Sequence, residues 1–211
     1  MPSTVHLGQS PTEQQVAAVV DEAAEVLLKG GAVVLPTDTV YGLAALPSVP
    51  GATAGLFELK ARSEQQPMAV LVADKEQAVE LIDPAALTDQ VLGWMERLWP
   101  GALTIVLPRA AAYADLELGG SAHTVGVRCP DHDLLRALAR KVGPLATTSA
   151  NRHGEPTPLS AGEAAAALEG PVGLVIDGGL AGSEASTVVD ATVEPWVLLR
   201  QGGITDHDLD T

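Results

Sequence analysis

Hydroxyl, amide and cationic side chains follow apolar, strand-like segments at several places in this sequence. The segments that carry them are TDTVYG after Ala32–Leu35, ELKARSEQQP, HTVGVRCPDH, TTSANRHGEPTP, ASTVVD and LLRQGG. Ligands of open α/β sheets usually bind beyond the carboxyl ends of strands, so we expect these segments to meet at one site. Their separated cations, hydroxyls and amide suit a nucleotide triphosphate together with a small polar substrate.

Each of these segments, taken singly, also has a structural explanation. Thr37 and Thr39 can cap a turn, and the Ser149–Asn151 segment can form a helix cap or an Asx turn. Cys129 is typical of a small core residue. It is the combination of the segments that indicates a binding site.

Several familiar kinds of active site are excluded by the sequence. It contains no Gly-x-Ser-x-Gly, no Walker loop, no His-Glu-x-x-His and no Gly-x-Gly-x-x-Gly. The 5 histidines lack metal-ligand spacing, and a single cysteine can form neither an internal disulfide nor a Cys-rich zinc site. We therefore predict no metal ion held by protein side chains.

The charge balance argues against a protein that binds extended nucleic acid. There are 12 Lys and Arg residues against 27 Asp and Glu residues, and the net charge of −15 would repel a phosphate backbone. The few cations beside Gly-, Ser- and Thr-rich segments can still form a local anion site. Because no segment is apolar for long enough to span a bilayer and the N-terminus lacks a secretory pattern, we expect a soluble, cytoplasmic protein.

Apolar periodicity predicts helices that alternate with strands. A helical spacing covers Thr12–Lys29, and Gly30 and Gly31 mark its end. Further helices are predicted at 52–61, 75–82, 84–98, 131–142, where Asp131 would be the cap, and 160–168. Strands are predicted at 32–35, 69–73, 103–107, 124–128 and 145–148 and near residues 174, 188 and 198. This alternation indicates an α/β domain.

The polar segments form an ordered set with their neighbours, namely PTDTVYGL, FELKAR, QPMAVLVAD, WPGALTIVLP, TVGVRCPDH, TTSANRHGEPTP, STVVD and LLRQGGIT. Over residues 27–204 this set resembles the YrdC/TsaC family of threonylcarbamoyl-adenylate synthases. The resemblance implies one YrdC-like domain over residues 1–211, the short form of the family, with a twisted mixed sheet, flanking helices and a deep central cavity. It also implies that L-threonine, bicarbonate and ATP are converted to threonylcarbamoyl-AMP and pyrophosphate, with Mg²⁺ accompanying the ATP.

The same resemblance assigns roles to individual residues. We expect the family's catalytic tetrad at Lys60, Arg62, Ser149 and Asn151. Threonine-binding positions fall on Thr39, Arg128, Thr147 and Ser186. ATP-binding positions fall on Lys60, Arg62, Gln66, Thr124, Ser149, Thr157 and Arg200.

The resemblance further implies that the product passes to a threonylcarbamoyl-transferase complex that modifies tRNA, while direct tRNA binding by this chain is weak or absent. The pattern departs from many members at Ser63 and Gln66, where Pro and Asn are frequent, and from some members at Leu71, where a His occurs. The shape of the first loop and any role of that His therefore stay open.

Two other functions are compatible with these motifs. One is a related enzyme that forms a carbamoyl-adenylate, because TVYGL, SAN and STVVD are shared across the superfamily. The other is a non-catalytic RNA-binding module, which the charge of −15 disfavours.

Overall fold

The computed structural model describes residues 3–8, 11–60, 63, 65–152 and 154–210. Within these residues the strands are β1 (Ser3–His6), β2 (Val33–Leu35), β3 (Gly42–Ala45), β4 (Ala69–Leu71), β5 (Leu103–Pro108), β6 (Thr124–Arg128), β7 (Leu145–Ser149), β8 (Leu174–Asp177), β9 (Thr187–Asp190) and β10 (Val197–Arg200). The helices are α1 (Glu13–Leu28), α2 (Ala52–Leu59), α3 (Lys75–Glu80), α4 (Asp89–Leu98), α5 (Asp133–Val142), α6 (Ala161–Ala166) and α7 (Asp206–Asp210). None of these described helices has both the length and the apolar character needed to cross a membrane.

The described strands form one 10-stranded sheet in the order β1-β8-β2-β3-β7-β4-β6-β5-β9-β10. β8 is parallel to β1 and β2, β4 is parallel to β6, and β5 is parallel to β9, whereas the other neighbours are antiparallel. The mixed sheet with flanking helices confirms the predicted α/β class.

Side chains alternate between the two faces of the sheet, and the faces are covered differently. On one face, alternate strand residues such as Val34, Ile105 and Val127 pack in a single apolar cluster with residues of α2, α4 and α6. On the opposite face, α1 and α5 pack together over β8, β2 and β3. Their apolar cluster reaches as far as Leu145 in β7 and Leu71 in β4.

One predicted helix is divided in the structure, and three elements were not predicted. The helix expected over 84–98 is divided, because a 3₁₀ turn covers Pro84–Ala86 and α4 begins only at Asp89. Each piece is capped by the side chain of the residue before it. Asp83 accepts from the Ala85 amide, and Thr88 accepts from the Val91 amide. Strands β1 and β3 and helix α7 were not predicted from periodicity.

The expected cap of α5 was wrong. The helix begins at Asp133, and its first flanking residue is His132, whose side chain makes no capping hydrogen bond. The Asp131 carboxylate instead accepts from Arg136 at 3.1 Å. An ion pair to a side chain one turn along the helix thus takes the place of the backbone cap.

The packing of α1 gives a direct test of this arrangement. Leu27 of α1 is fully buried in the apolar cluster that α1 and α5 form with the sheet, whereas its neighbour Leu28 is 58% exposed. We predict that Leu27→Ala lowers the free energy of unfolding by about 2–5 kcal/mol, because it leaves a cavity in a close-packed layer. Leu28→Ala should change it by no more than about 0.5 kcal/mol. Urea unfolding followed by circular dichroism measures both, and equal losses would contradict the assigned packing of α1.

Candidate active site

A pocket of about 310 Å³ lies on the sheet face that α1 and α5 cover only in part. Its floor is made of alternate residues of neighbouring strands, which are Ala69 and Leu71, Thr104 and Val106, Thr124, Gly126 and Arg128, and Thr147 and Ser149. The intervening residues of β4, β5 and β6, which are Val70, Ile105, Val125 and Val127, belong to the apolar cluster on the opposite face, whereas Thr148 of β7 also lines the pocket. The floor of the site is therefore a face of the sheet, and the polar segments at the carboxyl ends of strands meet around it as expected: Thr39 follows β2, and Arg128 and Ser149 end β6 and β7.

Arg128 at the end of β6 is a buried cation of this pocket, with 5% of its surface exposed. Its guanidinium donates from Nη2 to Asp38 Oδ1 at 2.5 Å, from Nη1 to Thr39 Oγ1 at 2.9 Å and from Nε to the Gly101 carbonyl at 2.9 Å. Burial lowers the pKa of Arg128, and the charge of Asp38 opposes that shift. These bonds fix the guanidinium plane and leave two N–H groups for a ligand.

The turn between β2 and β3 holds Asp38 and Thr39 against Arg128. Thr37 Oγ1 accepts from the amides of Thr39 and Val40 and donates to the Val40 carbonyl at 2.7 Å. Because that hydroxyl has only one proton, Thr39 must be the donor in the 2.9 Å contact between the two threonine hydroxyls. Thr37 is thus the structural residue of the turn, and Thr39 is the one whose hydroxyl also contacts the pocket cation.

A second cation, Arg200, reaches the same end of the pocket from β10. It donates from Nε to the Ser186 carbonyl at 2.9 Å and from Nη2 to Ser186 Oγ at 3.0 Å. Ser186 Oγ lies 2.9 Å from Thr104 Oγ1, so the three polar side chains form a chain along the pocket wall. Burial lowers the pKa of Arg200, and the positive charge of Arg128 lowers it further. Two guanidinium groups therefore meet at a place suited to an anion.

Three members of the expected tetrad meet at the end of β7. Lys60, which follows α2 and is 2% exposed, donates from Nζ to Ser149 Oγ at 3.3 Å, to Asn151 Oδ1 at 3.2 Å and to the Ser149 carbonyl. Ser149 Oγ in turn donates to Asn151 Oδ1 at 2.5 Å. Ser149 lines the pocket, whereas Lys60 and Asn151 lie behind it. Arg62 lies outside the described residues.

The other expected site residues are distributed along the same pocket. Thr39, Thr124, Thr147, Thr157, Ser186 and Arg200 all line it together with Arg128. Thr147 donates its hydroxyl proton to the Leu145 carbonyl at 3.2 Å, which leaves its oxygen lone pairs for a ligand. Gln66 is half-buried in the loop before β4 and does not line the pocket. Arg200, expected beside the nucleotide, contacts Ser186, which was expected beside the amino acid.

The sequence reasoning did not select Thr104 and Arg109, which line the pocket, or Asp38, which pairs with Arg128. Thr104 and Arg109 line the cavity, and Asp38 neutralises its best-buried cation. For Thr104 the signal is present in LTIVL, where one threonine alternates with fully buried Leu103 and Ile105. The pairing of Asp38 with Arg128 joins residues that are 90 positions apart and has no local signal.

The described residues provide no nucleophilic cysteine and no metal cluster. Burial raises the pKa of the Cys129 thiol to about 11, so this 3% exposed side chain stays protonated near neutral pH. Within the described ranges no group of three or more His, Cys, Asp or Glu side chains could hold a metal ion. Cys129 is a core residue, as the sequence indicated.

Comparisons with known proteins find relatives of this chain in sequence and in fold. Residues 25–202 match the model of the Sua5_yciO_yrdC family, described as Telomere recombination. The threonylcarbamoyl-AMP synthase of Bacillus subtilis (strain 168) is 37% identical over 203 residues, which are 95% of this chain and 57% of that protein. The crystal structure of P. abyssi Sua5 complexed with L-threonine is 33% identical, with a TM-score of 0.87 over 98% of this chain and 59% of that one.

A further solved structure shares the fold at lower identity. E. coli YciO is 23% identical, with a TM-score of 0.84 over 99% of this chain and 100% of that one. This chain therefore matches the whole of the YciO chain, but it spans only a little over half the length of the Bacillus and P. abyssi proteins.

The ion pair between Asp38 and Arg128 gives the prediction for this site. We predict that Asp38→Ala lowers the free energy of unfolding by about 3–5 kcal/mol, because it leaves the Arg128 charge buried without its partner. The matched control is Asp21→Ala, which removes an exposed pair with Lys141 at 2.6 Å and should cost no more than about 1 kcal/mol. Thermal and urea unfolding of both variants test this. Similar losses in the two would mean that Asp38 does not neutralise a buried charge.

Proposed function

This chain belongs to the Sua5_yciO_yrdC family, and on that premise we propose that it is an L-threonylcarbamoyladenylate synthase. In the proposed reaction L-threonine, bicarbonate and ATP give threonylcarbamoyl-AMP, pyrophosphate and water. The relatives named above support the activity, and one observation in this chain carries it. A single pocket is lined both by a fixed, buried guanidinium with two further N–H groups and by Ser149, whose hydroxyl bonds to Lys60 and Asn151 behind it.

The Arg128 end of the pocket suits the amino acid. The two remaining N–H groups of Arg128 can form a two-pronged bond to the carboxylate of threonine, and Thr39 and Ser186 place hydroxyl oxygens beside it. Thr147, on the floor of the same pocket, supplies a further oxygen. The solved complex of P. abyssi Sua5 with L-threonine supports an amino-acid site in this fold.

The opposite end of the pocket suits the nucleotide. The charge of Lys60 would act there on the phosphates, and we assign the same role to Arg62 from its motif, while Ser149 and Asn151 would orient the nucleotide by neutral hydrogen bonds. We assign further nucleotide contacts to Gln66, Thr124 and Thr157, and also to Arg200, although Arg200 stands at the Arg128 end of the pocket. The pocket would then be the deep central cavity that the family resemblance implies.

The proposed catalysis rests on positioning. The amine of threonine combines with bicarbonate to form a carbamate and release water, and a carbamate oxygen then attacks the α-phosphorus of ATP. The bond from that phosphorus to the bridging oxygen breaks, and pyrophosphate leaves with the electron pair. No protein nucleophile takes part, which agrees with the protonated, buried thiol of Cys129. Cationic side chains stabilise the charge that builds on the phosphates.

Mg²⁺ fits this site as a companion of ATP. None of the described lining residues is Asp or Glu, and Mg²⁺ at nucleotide sites is commonly bound through phosphate oxygens and water. The residues that would face such an ion are hydroxyl-bearing, such as Ser149 and Thr157. The ion supplies electrostatic stabilisation of the departing pyrophosphate.

The product would pass to a threonylcarbamoyl-transferase complex for tRNA modification, and we therefore propose a cytoplasmic enzyme. With a net charge of −15, the chain itself should bind tRNA weakly or not at all.

A product assay tests the proposed function. Purified protein with ATP, Mg²⁺, L-threonine and bicarbonate should yield a product with the mass of threonylcarbamoyl-AMP, and pyrophosphate release should require both threonine and bicarbonate. Release that is independent of either would contradict the proposal. Product formation from carbamoyl phosphate in place of threonine would instead identify a carbamoyl-adenylate-forming enzyme.

A substitution of Lys60 tests whether this residue takes part in the proposed reaction. We predict that Lys60→Met lowers the rate by at least about a hundredfold, because it removes a preorganised cation from the phosphates. Lys75→Met is the control, since Lys75 lies on α3 and pairs only with Glu96 at the surface. If Lys60→Met keeps the parental rate while remaining folded, Lys60 has no part in the reaction.

The floor of the pocket allows a steric test. A Cβ on Gly126 would meet only Thr104 and Val106 side-chain atoms at 3.5 and 3.7 Å, and the position does not require a positive φ. We predict that Gly126→Val folds and abolishes threonine binding in calorimetry, because its side chain extends into the ligand space. Parental affinity in this variant would place the amino acid elsewhere.

A further inference from the structure

Arg109 is a buried cation that lines the pocket and has not been assigned a role above. It follows β5 and is 8% exposed, and its partners within the described ranges are main-chain carbonyls. Nε and Nη2 donate to the Thr124 carbonyl at 3.0 and 2.7 Å, Nη1 donates to the Leu116 carbonyl at 2.8 Å, and Nη2 also approaches the Ser121 carbonyl at 3.4 Å. The side chain thus clamps the start of β6 and the loop before it.

No carboxylate among the described residues pairs with this guanidinium. The described ion pairs do not include Arg109, and none of the described pocket-lining residues is acidic. Burial lowers the pKa of Arg109, and no neighbouring charge opposes that shift, in contrast to the effect of Asp38 on Arg128. An uncompensated buried charge is costly for folding, and an anionic ligand in the adjoining pocket would offset that cost.

The position of Arg109 in the sheet places this charge at the nucleotide end. Pro108 is paired with Thr124, so Arg109 stands beside the first residue of β6, whereas Arg128 is the last residue of the same strand. Four residues of strand separate the two ends by about 13 Å. The loop that Arg109 clamps also presents Leu118 and Gly119 to the pocket. The pocket therefore has a buried cation at each end, and among the described residues an acidic partner is found only at the Arg128 end.

We propose that Arg109 is a positioning residue for the phosphoanhydride chain of the nucleotide, acting through its positive charge, which the carbonyl groups around it hold beside the pocket. This inference rests on the proposed function for the identity of the nucleotide. Four of the five N–H groups already bind carbonyls, so the main action of Arg109 on a phosphate is electrostatic, with its geometry fixed before the ligand arrives.

The experiment compares Arg109→Lys with Arg109→Gln in the full chain. Lysine keeps the charge and loses most of the clamp, whereas glutamine loses the charge and also most of the clamp. Calorimetry with inorganic pyrophosphate as the probe should show binding about tenfold weaker or more in Arg109→Gln, and within about threefold of the parent in Arg109→Lys. The control is Arg97→Gln on the exposed surface of α4, which should bind pyrophosphate as the parent does.

Threonine binding and the melting temperature separate the charge from the clamp. Both Arg109 variants should bind threonine like the parent, because the amino-acid end lies across the pocket. Equal losses of pyrophosphate affinity in Lys and Gln variants, with equal falls in melting temperature, would overturn the proposal and leave Arg109 as a brace only. Parental pyrophosphate affinity in Arg109→Gln, or no pyrophosphate binding by the parent, would also overturn it.

The outcomes separate this inference from the proposed function. If the parent forms no threonylcarbamoyl-AMP and yet binds pyrophosphate in a manner that depends on the Arg109 charge, the proposed reaction is wrong and the phosphoanhydride site is supported.

Discussion

The structure depends on a sheet whose two faces are covered unequally. Residues of a strand point alternately to the two sides, so each strand contributes one series of side chains to a helix-covered core and another to the opposite face. Helices α2, α4 and α6 pack with the first series. Helices α1 and α5 cover the second series only over β8, β2, β3 and their immediate neighbours. The pocket occupies the part of that face which α1 and α5 leave uncovered. This explains how Thr104, Gly126 and Thr147 can lie in strands that are otherwise apolar.

The same constraint explains where the positive charge of an acidic protein is found. Lys60, Arg109 and Arg128 are each at least nine-tenths buried in a chain of net charge −15. All three are held in place by carbonyl, hydroxyl, amide or carboxylate oxygens, so their positions are fixed before any ligand binds. A protein of this kind repels long polyanions over its surface and still attracts a small anion into its interior. That separation favours a nucleotide over a tRNA as the anionic ligand.

Much of the fold could be predicted from sequence because its signals are local. The long α1 showed helical periodicity with a Gly-Gly end, and β2, β5, β6 and β7 were short apolar runs bounded by turn residues. β1 and β3 were missed for a physical reason. The segment STVH is largely exposed, and GLAA is a short run of small residues that becomes a strand only by pairing with β2 and β7. The Asp131 cap was wrong because α5 begins two residues later, at Asp133, and the Asp131 carboxylate pairs with Arg136.

The site was less accessible to sequence reasoning, and the reason is tertiary. Motif resemblance found residues that meet in one pocket, among them Thr39, Arg128 and Ser186. It did not reveal that the pocket lies on a sheet face, because that depends on which helices cover which strands. The alternation in TVGVR does indicate which residues of β6 share a face. Thr124, Gly126 and Arg128 face the pocket, while the two valines between them are buried.

Arg109 and Arg128 lie beside opposite ends of β6, and they show what sequence alone leaves undecided. Both are buried, and both hold a neighbouring loop through carbonyl or hydroxyl oxygens. Only Arg128 has a carboxylate partner among the described residues, supplied by a turn that is distant in sequence. The loop that folds against a buried arginine therefore decides whether a carboxylate of the protein neutralises it or its charge stays available for a ligand. The neighbouring strand does not decide this. In this pocket the presence or absence of a carboxylate partner among the described residues distinguishes the Arg128 end of β6 from the Arg109 end.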